Sequence, residues 1–133
     1  LAALLNLVLP LVDQVTHADG GHKSRMPDIH LKLMRNLIEI SNTASSSGVE
    51  TAGSLDEKMT QIASICRMWR HADGQFARFN GAGKMTIEAI EETLARVGQR
   101  GKVLQQAPHS GFIRISSGRS TQRSRHRIWY IGI

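Results

Sequence analysis

The sequence predicts a mainly α-helical chain that changes to short β-strands near residue 101. Apolar side chains recur at helical spacing in four segments before Gly101, and two β-prone segments flank a turn after it. The composition, with 41% apolar and 21% charged residues among 133, is typical of a globular chain. We therefore expect a helical part over 1–101 followed by the beginning of a β part.

The first two helices are predicted from their apolar runs and from their prolines. Residues 1–16 are helical in composition, and Pro10 is expected to kink or restart that helix. The second helix is expected to begin at Pro27, a favoured first position, with Asp28 at the positive end of the helix dipole. Its predicted apolar face comprises Ile29, Leu33, Met34, Leu37, Ile38 and Ile40. His30, beside that face, is expected to be partly exposed.

The third and fourth helices carry recognisable capping residues. Ser54 and Glu57 form a capping-box pattern, and Thr86 and Gly98 suit the two ends of the fourth helix. The apolar face of the third helix is predicted to be Leu55, Met59, Ile62, Cys66 and Trp69. Cys66 is the single cysteine, so an internal disulfide is excluded, and its neighbours indicate a buried apolar role rather than a reactive thiol.

The β part is predicted to be short and to be followed by an unusual tail. Residues 102–106 and 111–115 are expected to be strands joined by a turn over 107–110. After Ser120 the apolar alternation stops, and four of the six net positive charges lie at Arg119, Arg123, Arg125 and Arg127. We divide the chain into 1–101, 102–120 and an anomalous basic tail over 121–133, which is either disordered or the product of a shifted reading frame.

One short motif occurs twice, each time directly after a predicted helix. His-Ala-Asp-Gly stands at residues 17–20 and again at 71–74. One interpretation is a repeated helix stop, in which glycine adopts the left-handed conformation and histidine lies at the negative end of the dipole. The other is a pair of equivalent corners on one rim of a helical array, both lining a cleft. Spacing alone leaves both interpretations open.

Three longer motifs carry a resemblance to a known family. They are Asp-Gly-Gly-His-x-Ser-Arg at 19–25, Arg-His-x-Asp-Gly-x-x-Ala-x-Phe-Asn-Gly-x-Gly at 70–83, and Ala-Pro-His-Ser-Gly-Phe at 107–112 with Arg114 and Gly118-Arg119 beyond it. In this order the chain resembles the bacterial heparinase II/III-like polysaccharide lyases. The resemblance implies the terminal helical hairpins of an (α/α) toroid, followed by the first strands of an antiparallel β-sandwich.

The function implied by the resemblance is β-elimination on uronic-acid polysaccharides such as heparan sulfate or alginate. His22 is the candidate catalytic residue in that reaction, since histidine serves as a general acid or base near neutral pH. The candidate substrate-binding residues are Arg25, Arg70, His71, Arg78 and Asn80. The family's tyrosine is replaced here by Ile29, and part of its catalytic set has no counterpart. The resemblance therefore implies a fragment that is inactive alone, or a member that has drifted from lyase chemistry.

A second function class is a non-catalytic helical module whose arginines bind acidic polymers. The predicted partner is an acidic polysaccharide, without a cofactor or a membrane. In the second class the basic tail could bind glycan or nucleic acid through charge, but it lacks a helix or a glycine-aromatic pattern for reading bases, so nucleic acid is not expected. No histidine pair shows the spacing of a helical metal site, so no metal is predicted. The apolar opening segment is shorter than the roughly 20 residues that a membrane helix needs. Whether the compartment is periplasmic or cytoplasmic, and the oligomeric state, are left open.

Overall fold

Four α-helices account for most of the chain, as the sequence predicts. The computed structural model describes residues 2–50, 53–71, 73–78, 83–117 and 127–132. The helices are α1 (Ala2–Val15), α2 (Pro27–Ser46), α3 (Gly53–Trp69) and α4 (Ile87–Val97). Pro10 lies inside α1, which runs on without a restart. The prediction of a mainly helical chain is confirmed.

The helix ends agree closely with the local signals. Pro27 is the first residue of α2. Thr86 caps α4, because its side-chain oxygen accepts the Ala89 N–H at 3.1 Å, and Gly98 ends α4 with a φ of 61°. At α3 the prediction is slightly displaced: the helix begins at Gly53, so Ser54 lies within the first turn instead of preceding it.

A small antiparallel sheet follows the helices. Its strands are β1 (Gln106–Ala107), β2 (Phe112–Ser117) and β3 (Arg127–Gly132), in the order β1-β2-β3. The β2–β3 register pairs Phe112 with Gly132 and Ser117 with Arg127. Within the predicted tail over 121–133, residues 127–132 form this paired strand, which their β-branched and aromatic residues favour. The division of the chain at residues 101 and 120 and the origin of the tail stay predictions. Residues 118–126 lie outside the described residues.

The predicted strand over 102–106 is reduced to its last residue. The start of this stretch is attached to α3: the Lys102 N–H donates to Ser64 Oγ at 3.0 Å, and Arg67 Nε donates to the Arg100 carbonyl at 2.9 Å. Only its end reaches β2, where the Gln105 carbonyl accepts the Arg114 N–H at 2.8 Å. A backbone N–H that is bonded to a side chain cannot form a sheet ladder. The helical and β parts consequently meet along the surface of α3.

The core has two apolar clusters that share α3. The larger one is formed by all four helices and includes Met34, Ile62 and Ile90, each with no exposed surface. The smaller one joins the end of α3 to the β part. Its buried members are Ile65, Met68, Trp69, Ala107 and Phe112. Every residue of the predicted apolar face of α3 is buried, including Cys66, whose pKa burial raises to about 12. The interpretation of Cys66 as a buried apolar side chain is confirmed.

The buried face of α2 is rotated from the predicted one. Ile29 is 36% exposed, whereas His30 has no exposed surface, and Leu33 and Ile40 are only partly buried. The expectation that His30 is partly exposed is therefore wrong. Four helices and a single sheet form neither a toroid nor a two-sheet sandwich within the described residues, so the structure supports the coarser fold class alone.

Candidate functional site

The two His-Ala-Asp-Gly motifs form the same chain reversal. In the first, the His17 N–H donates to the Gly21 carbonyl at 2.8 Å; in the second, the His71 N–H donates to the Gln75 carbonyl at 2.8 Å. An isolated antiparallel bridge closes each reversal, at Thr16–His22 and at Arg70–Phe76. We call residues 16–23 the first corner and residues 70–77 the second corner. The repeated motif therefore forms a defined hydrogen-bonded turn, which does more than end the preceding helix.

The glycine and the aspartate of each motif have defined tasks in that turn. Gly20 and Gly74 have φ values of 92° and 89°, which strain any residue with a Cβ. The aspartate carboxylate accepts the N–H two residues further on, at 3.0 Å in the first corner and 2.9 Å in the second. This is an Asx turn, a side chain mimicking a backbone hydrogen bond. The motif therefore recurs because the same turn recurs.

The first corner is attached to the β part through Asp19. Its carboxylate accepts the Ser110 N–H at 2.7 Å and also the Ser110 hydroxyl, and Ser110 is buried. Burial alone would raise the pKa of Asp19, but the hydrogen bonds from Ser110 and Gly21 outweigh it and hold the pKa below the ordinary value of 3.8. A Cβ at Gly21 would overlap Ser110 Oγ at 1.9 Å. Glycine is thus required where the two segments meet.

Arg25 reinforces the same junction. Its Nη2 donates to the Gly111 carbonyl at 3.1 Å, and its guanidinium lies 4.5 Å from the centre of the Phe112 ring. This distance is within the range of a cation–π interaction. Arg25 also has a φ of 56°, which is uncommon for a residue with a side chain. These contacts hold Arg25 against the start of β2.

His22 is half-buried, and its ring is hydrogen-bonded to Ser24, two residues further along the chain. Its Nδ1 accepts the Ser24 N–H at 3.0 Å and lies 2.8 Å from Ser24 Oγ. Burial, and to a lesser extent the nearby His17, lower the pKa of His22, so its neutral form predominates at pH 7. Because Nδ1 accepts a backbone N–H, the proton of the neutral ring is on Nε2. His22 Nε2 is therefore a donor in the neutral form.

His30 connects the first corner to the core. Its Nδ1 accepts the His22 N–H at 3.3 Å, and its Nε2 donates to the Ile62 carbonyl at 2.9 Å. Burial lowers its pKa to about 4. Its ring lies edge-on to Trp69 at 4.9 Å, and Trp69 lies edge-on to Phe112 at 5.4 Å. An aromatic series therefore runs from the corner through the end of α3 to β2.

The predicted residues of the second corner interact with helix α4 through an ion pair and with β2 through the charge of Arg114. Arg70 lies 3.4 Å from a Glu91 carboxylate oxygen, and its Nε donates to the Gly74 carbonyl at 3.5 Å. Burial lowers the pKa of the half-buried His71; the nearby Asp73 opposes this effect and the positive Arg114 adds to it. The second corner thus also lies close to the β part.

The structure brings together only some of the predicted site residues. His22 and Arg25 lie in and beside the first corner, and Arg70 and His71 lie in the second. Arg78 is exposed after the second corner, and Asn80 lies outside the described residues. Sequence reasoning missed Asp19, Ser110 and His30, which join the corners to the rest of the fold. A signal was present for His30, which is spaced four residues before Met34 and seven before Leu37.

Three of the predicted site residues are used to hold the structure together. Arg25, Arg70 and His22 bind backbone carbonyls, a backbone N–H, a carboxylate or a ring of the same chain. Within the described ranges, no three histidine, cysteine, aspartate or glutamate side chains are grouped closely enough to hold a metal ion. Nor does any helix among the described residues have the length and hydropathy required to cross a bilayer. The assignments of His22 as catalytic and of the other five residues as substrate-binding stay predictions.

The fold and the corners define a helical segment whose polar turns are fastened to a short antiparallel sheet. Its sequence is similar to that of FtsZ-localized protein C of Caulobacter vibrioides (strain NA1000 / CB15N), with 27% identity over 116 residues. The match covers 87% of this chain and 20% of that protein, so the chain spans about a fifth of the relative's length. No family model matches the chain, and no solved structure matches it.

This comparison overturns the predicted relation to heparinase II/III-like lyases. The relative bears a name that refers to FtsZ and not to a polysaccharide, and no lyase family model matches the chain. The predicted β-elimination and the acidic polysaccharide partner are therefore wrong, and so is the module that binds acidic polymers through the predicted site arginines. The physical reason lies in the motifs: their aspartates and glycines are those that the two corners and their junction require, so they report a turn and not a reaction.

Proposed function

We propose that this chain is a protein-docking segment of a cell-division protein, and that it contributes to holding that protein where FtsZ assembles. The similarity over 116 residues to FtsZ-localized protein C is the observation that carries this proposal. The relation extends across most of the chain and is not confined to one motif. It therefore concerns the folded segment as a unit.

The geometry of the corners supports a docking role. A docking surface must keep its shape, because ordering loops on binding reduces affinity. Both corners are closed by backbone hydrogen bonds, and the first is further fixed to residues 110–112 by Asp19 and Arg25. In this proposal His22, Arg25 and Arg70 are positioning residues, which maintain the relative placement of the helices and the sheet.

The finer architecture belongs to the same proposal. We propose that the four helices are hairpins of a larger helical array and that the chain divides near residue 101 into a helical part and a β part. Two features support the division: the smaller apolar cluster contains the β part and only the end of α3, and residues 100–102 are attached to α3 by hydrogen bonds. An (α/α) toroid and a β-sandwich are one arrangement compatible with such hairpins and strands.

A chimera tests the proposed function. The matched segment of FtsZ-localized protein C is replaced by this chain, and the fluorescently tagged chimera is imaged in Caulobacter vibrioides together with labelled FtsZ. We expect the chimera to coincide with FtsZ, whereas a version in which the segment is replaced by a flexible glycine-serine linker should not. Sedimentation of the purified chain with purified FtsZ supplies a second readout. A stable, well-expressed chimera that is diffuse while the parent protein coincides with FtsZ would contradict the proposal.

A further inference from the structure

A groove between α2 and α4 has the features of a binding surface, and none of the corner residues belongs to it. Its volume is about 550 Å³, within the range of ligand-binding clefts. Its floor is apolar: Met85 is partly buried against the larger apolar cluster, and beneath it lies Leu31, a member of that cluster that is only 4% exposed. Its wall on α2 carries Lys32, Arg35 and Glu39. They follow Asp28 by four, seven and eleven positions, so all four lie along one face of the helix.

Positive charge predominates on the walls of this groove. Lys32, Arg35, Lys84 and Arg96 line it together with the carboxylates of Asp28 and Glu39. Glu39 is paired with a cation, since it accepts from Arg96 at 2.5 Å; Asp28 Oδ2 accepts the Gly83 N–H at 3.0 Å, and its buried Oδ1 has no partner among the described residues. Among the described residues, by contrast, Lys32, Arg35 and Lys84 have no carboxylate within 4.0 Å. Three cations are thus available to a ligand.

We propose that this groove binds an acidic segment of a partner protein. Carboxylates of the segment would pair with Lys32, Arg35 and Lys84, while an apolar side chain would contact Met85. The stretch from Asp28 to Glu39 extends about 16 Å along α2, which is long enough for about three turns of a bound helix or five extended residues. The described lining contains no aromatic side chain on which a nucleic-acid base would stack. This inference rests on the proposed function in taking the partner to be a protein.

The test uses the whole chain and a peptide probe. A fluorescein-labelled peptide of about twelve residues, rich in glutamate and containing leucines, is titrated with the chain and followed by fluorescence anisotropy. The groove variant is Lys32→Glu/Arg35→Glu. The matched control is Gln99→Glu/Lys102→Glu/Gln105→Glu, which lowers the net charge by the same four units at exposed positions outside the groove and outside both corners. Circular dichroism confirms that both variants are folded, and a lysine-rich peptide of equal length controls for nonspecific binding.

We expect the groove variant to bind the acidic peptide about tenfold more weakly and the control to change by less than about twofold. Binding should also weaken as salt is raised from about 0.05 M to 0.5 M, because the added ions screen exposed charges. Equal loss in both variants, no loss in the groove variant, or tighter binding of a uronic-acid oligosaccharide of equal charge would overturn the proposal. If the chimera coincides with FtsZ but the groove variant keeps its peptide affinity, only this inference fails. If the chimera is diffuse while peptide binding depends on Lys32 and Arg35, the groove stands and the proposed function fails.

Discussion

Replacing Asp19 by asparagine should destabilise the chain far more than the same replacement of Asp73. Both aspartates occupy the same position of an identical motif and both complete an Asx turn. Asp19 alone also accepts the Ser110 N–H and hydroxyl, which fasten the first corner to the β part. Comparing the two variants therefore separates the stability contributed by the junction with Ser110 from the stability contributed by the Asx turn.

The expected loss of stability in Asp19→Asn follows from the hydrogen-bond donors that lose their acceptor. An asparagine keeps one carbonyl oxygen, and its amide group is directed at one of the two sets of donors that the carboxylate served. Ser110 is only 3% exposed, so a donor left without a partner there costs about 1–3 kcal/mol. We expect Asp19→Asn to lower the free energy of unfolding by about 2 kcal/mol, or Tm by roughly 8 °C. Asp73 is exposed, and its replacement should cost less than about 0.5 kcal/mol.

Urea unfolding followed by circular dichroism measures both variants, and its pH dependence supplies a second check. Because the folded-state pKa of Asp19 lies below 3.8, its contribution is fully present above that pH and is lost as the pH falls through the folded-state value. The difference between the wild-type chain and Asp19→Asn should therefore shrink below about pH 3.8. Equal losses for the two variants at neutral pH would refute the reasoning, since Ser110 would then contribute nothing measurable.

Three further predictions concern the core and the junction. Because His30 has a pKa of about 4 when folded and near 6.5 when unfolded, the wild-type chain should lose about 2 kcal/mol more than His30→Gln between pH 7 and 5 in urea titrations; parallel slopes would contradict this. Cys66, buried and with its pKa raised to about 12, should react with iodoacetamide only as fast as the chain unfolds, as mass spectrometry can show. Gly101→Ala should lower the free energy of unfolding by about 2 kcal/mol more than Gly98→Ala, as thermal unfolding can measure. Both glycines have a positive φ, but only at Gly101 would the added Cβ meet the Ser64 backbone, at 2.8 Å. Similar Tm values for the two variants would contradict the clash.

The helices could be predicted because their signals are local. Pro27 fixes its own φ and lacks a donor, which suits the first turn of a helix in any surroundings. Thr86 accepts an N–H three residues away, and Gly98 relieves the left-handed strain at the end of α4. None of these effects requires a distant partner, so the sequence alone indicates where α2 and α4 begin and where α4 ends.

The buried face of α2 could not be predicted in the same way. Hydrophobicity places Ile29 inside and His30 outside, yet His30 is buried because both of its ring nitrogens find partners. One partner, the Ile62 carbonyl, is 32 positions away in the sequence. A polar residue on an apolar face is stable only when such distant groups satisfy it, and a pattern within one helix carries no information about them. The candidate site failed to be predicted for the same reason, since Asp19 and Ser110 are 91 positions apart.

The two corners also explain why the motifs suggested an enzyme family that the sequence comparison does not support. An aspartate followed by a glycine at positive φ is what an Asx turn requires, so the same letters arise wherever that turn closes a helix. The chain demonstrates this internally, because it contains the motif twice and binds the β part through only one of the two aspartates. The chemistry of a corner therefore depends on what lies opposite it, as Ser110 lies opposite Asp19 and Glu91 opposite Arg70. A motif that a turn requires on steric grounds identifies the turn, and its function has to be established from the surfaces that the turn positions.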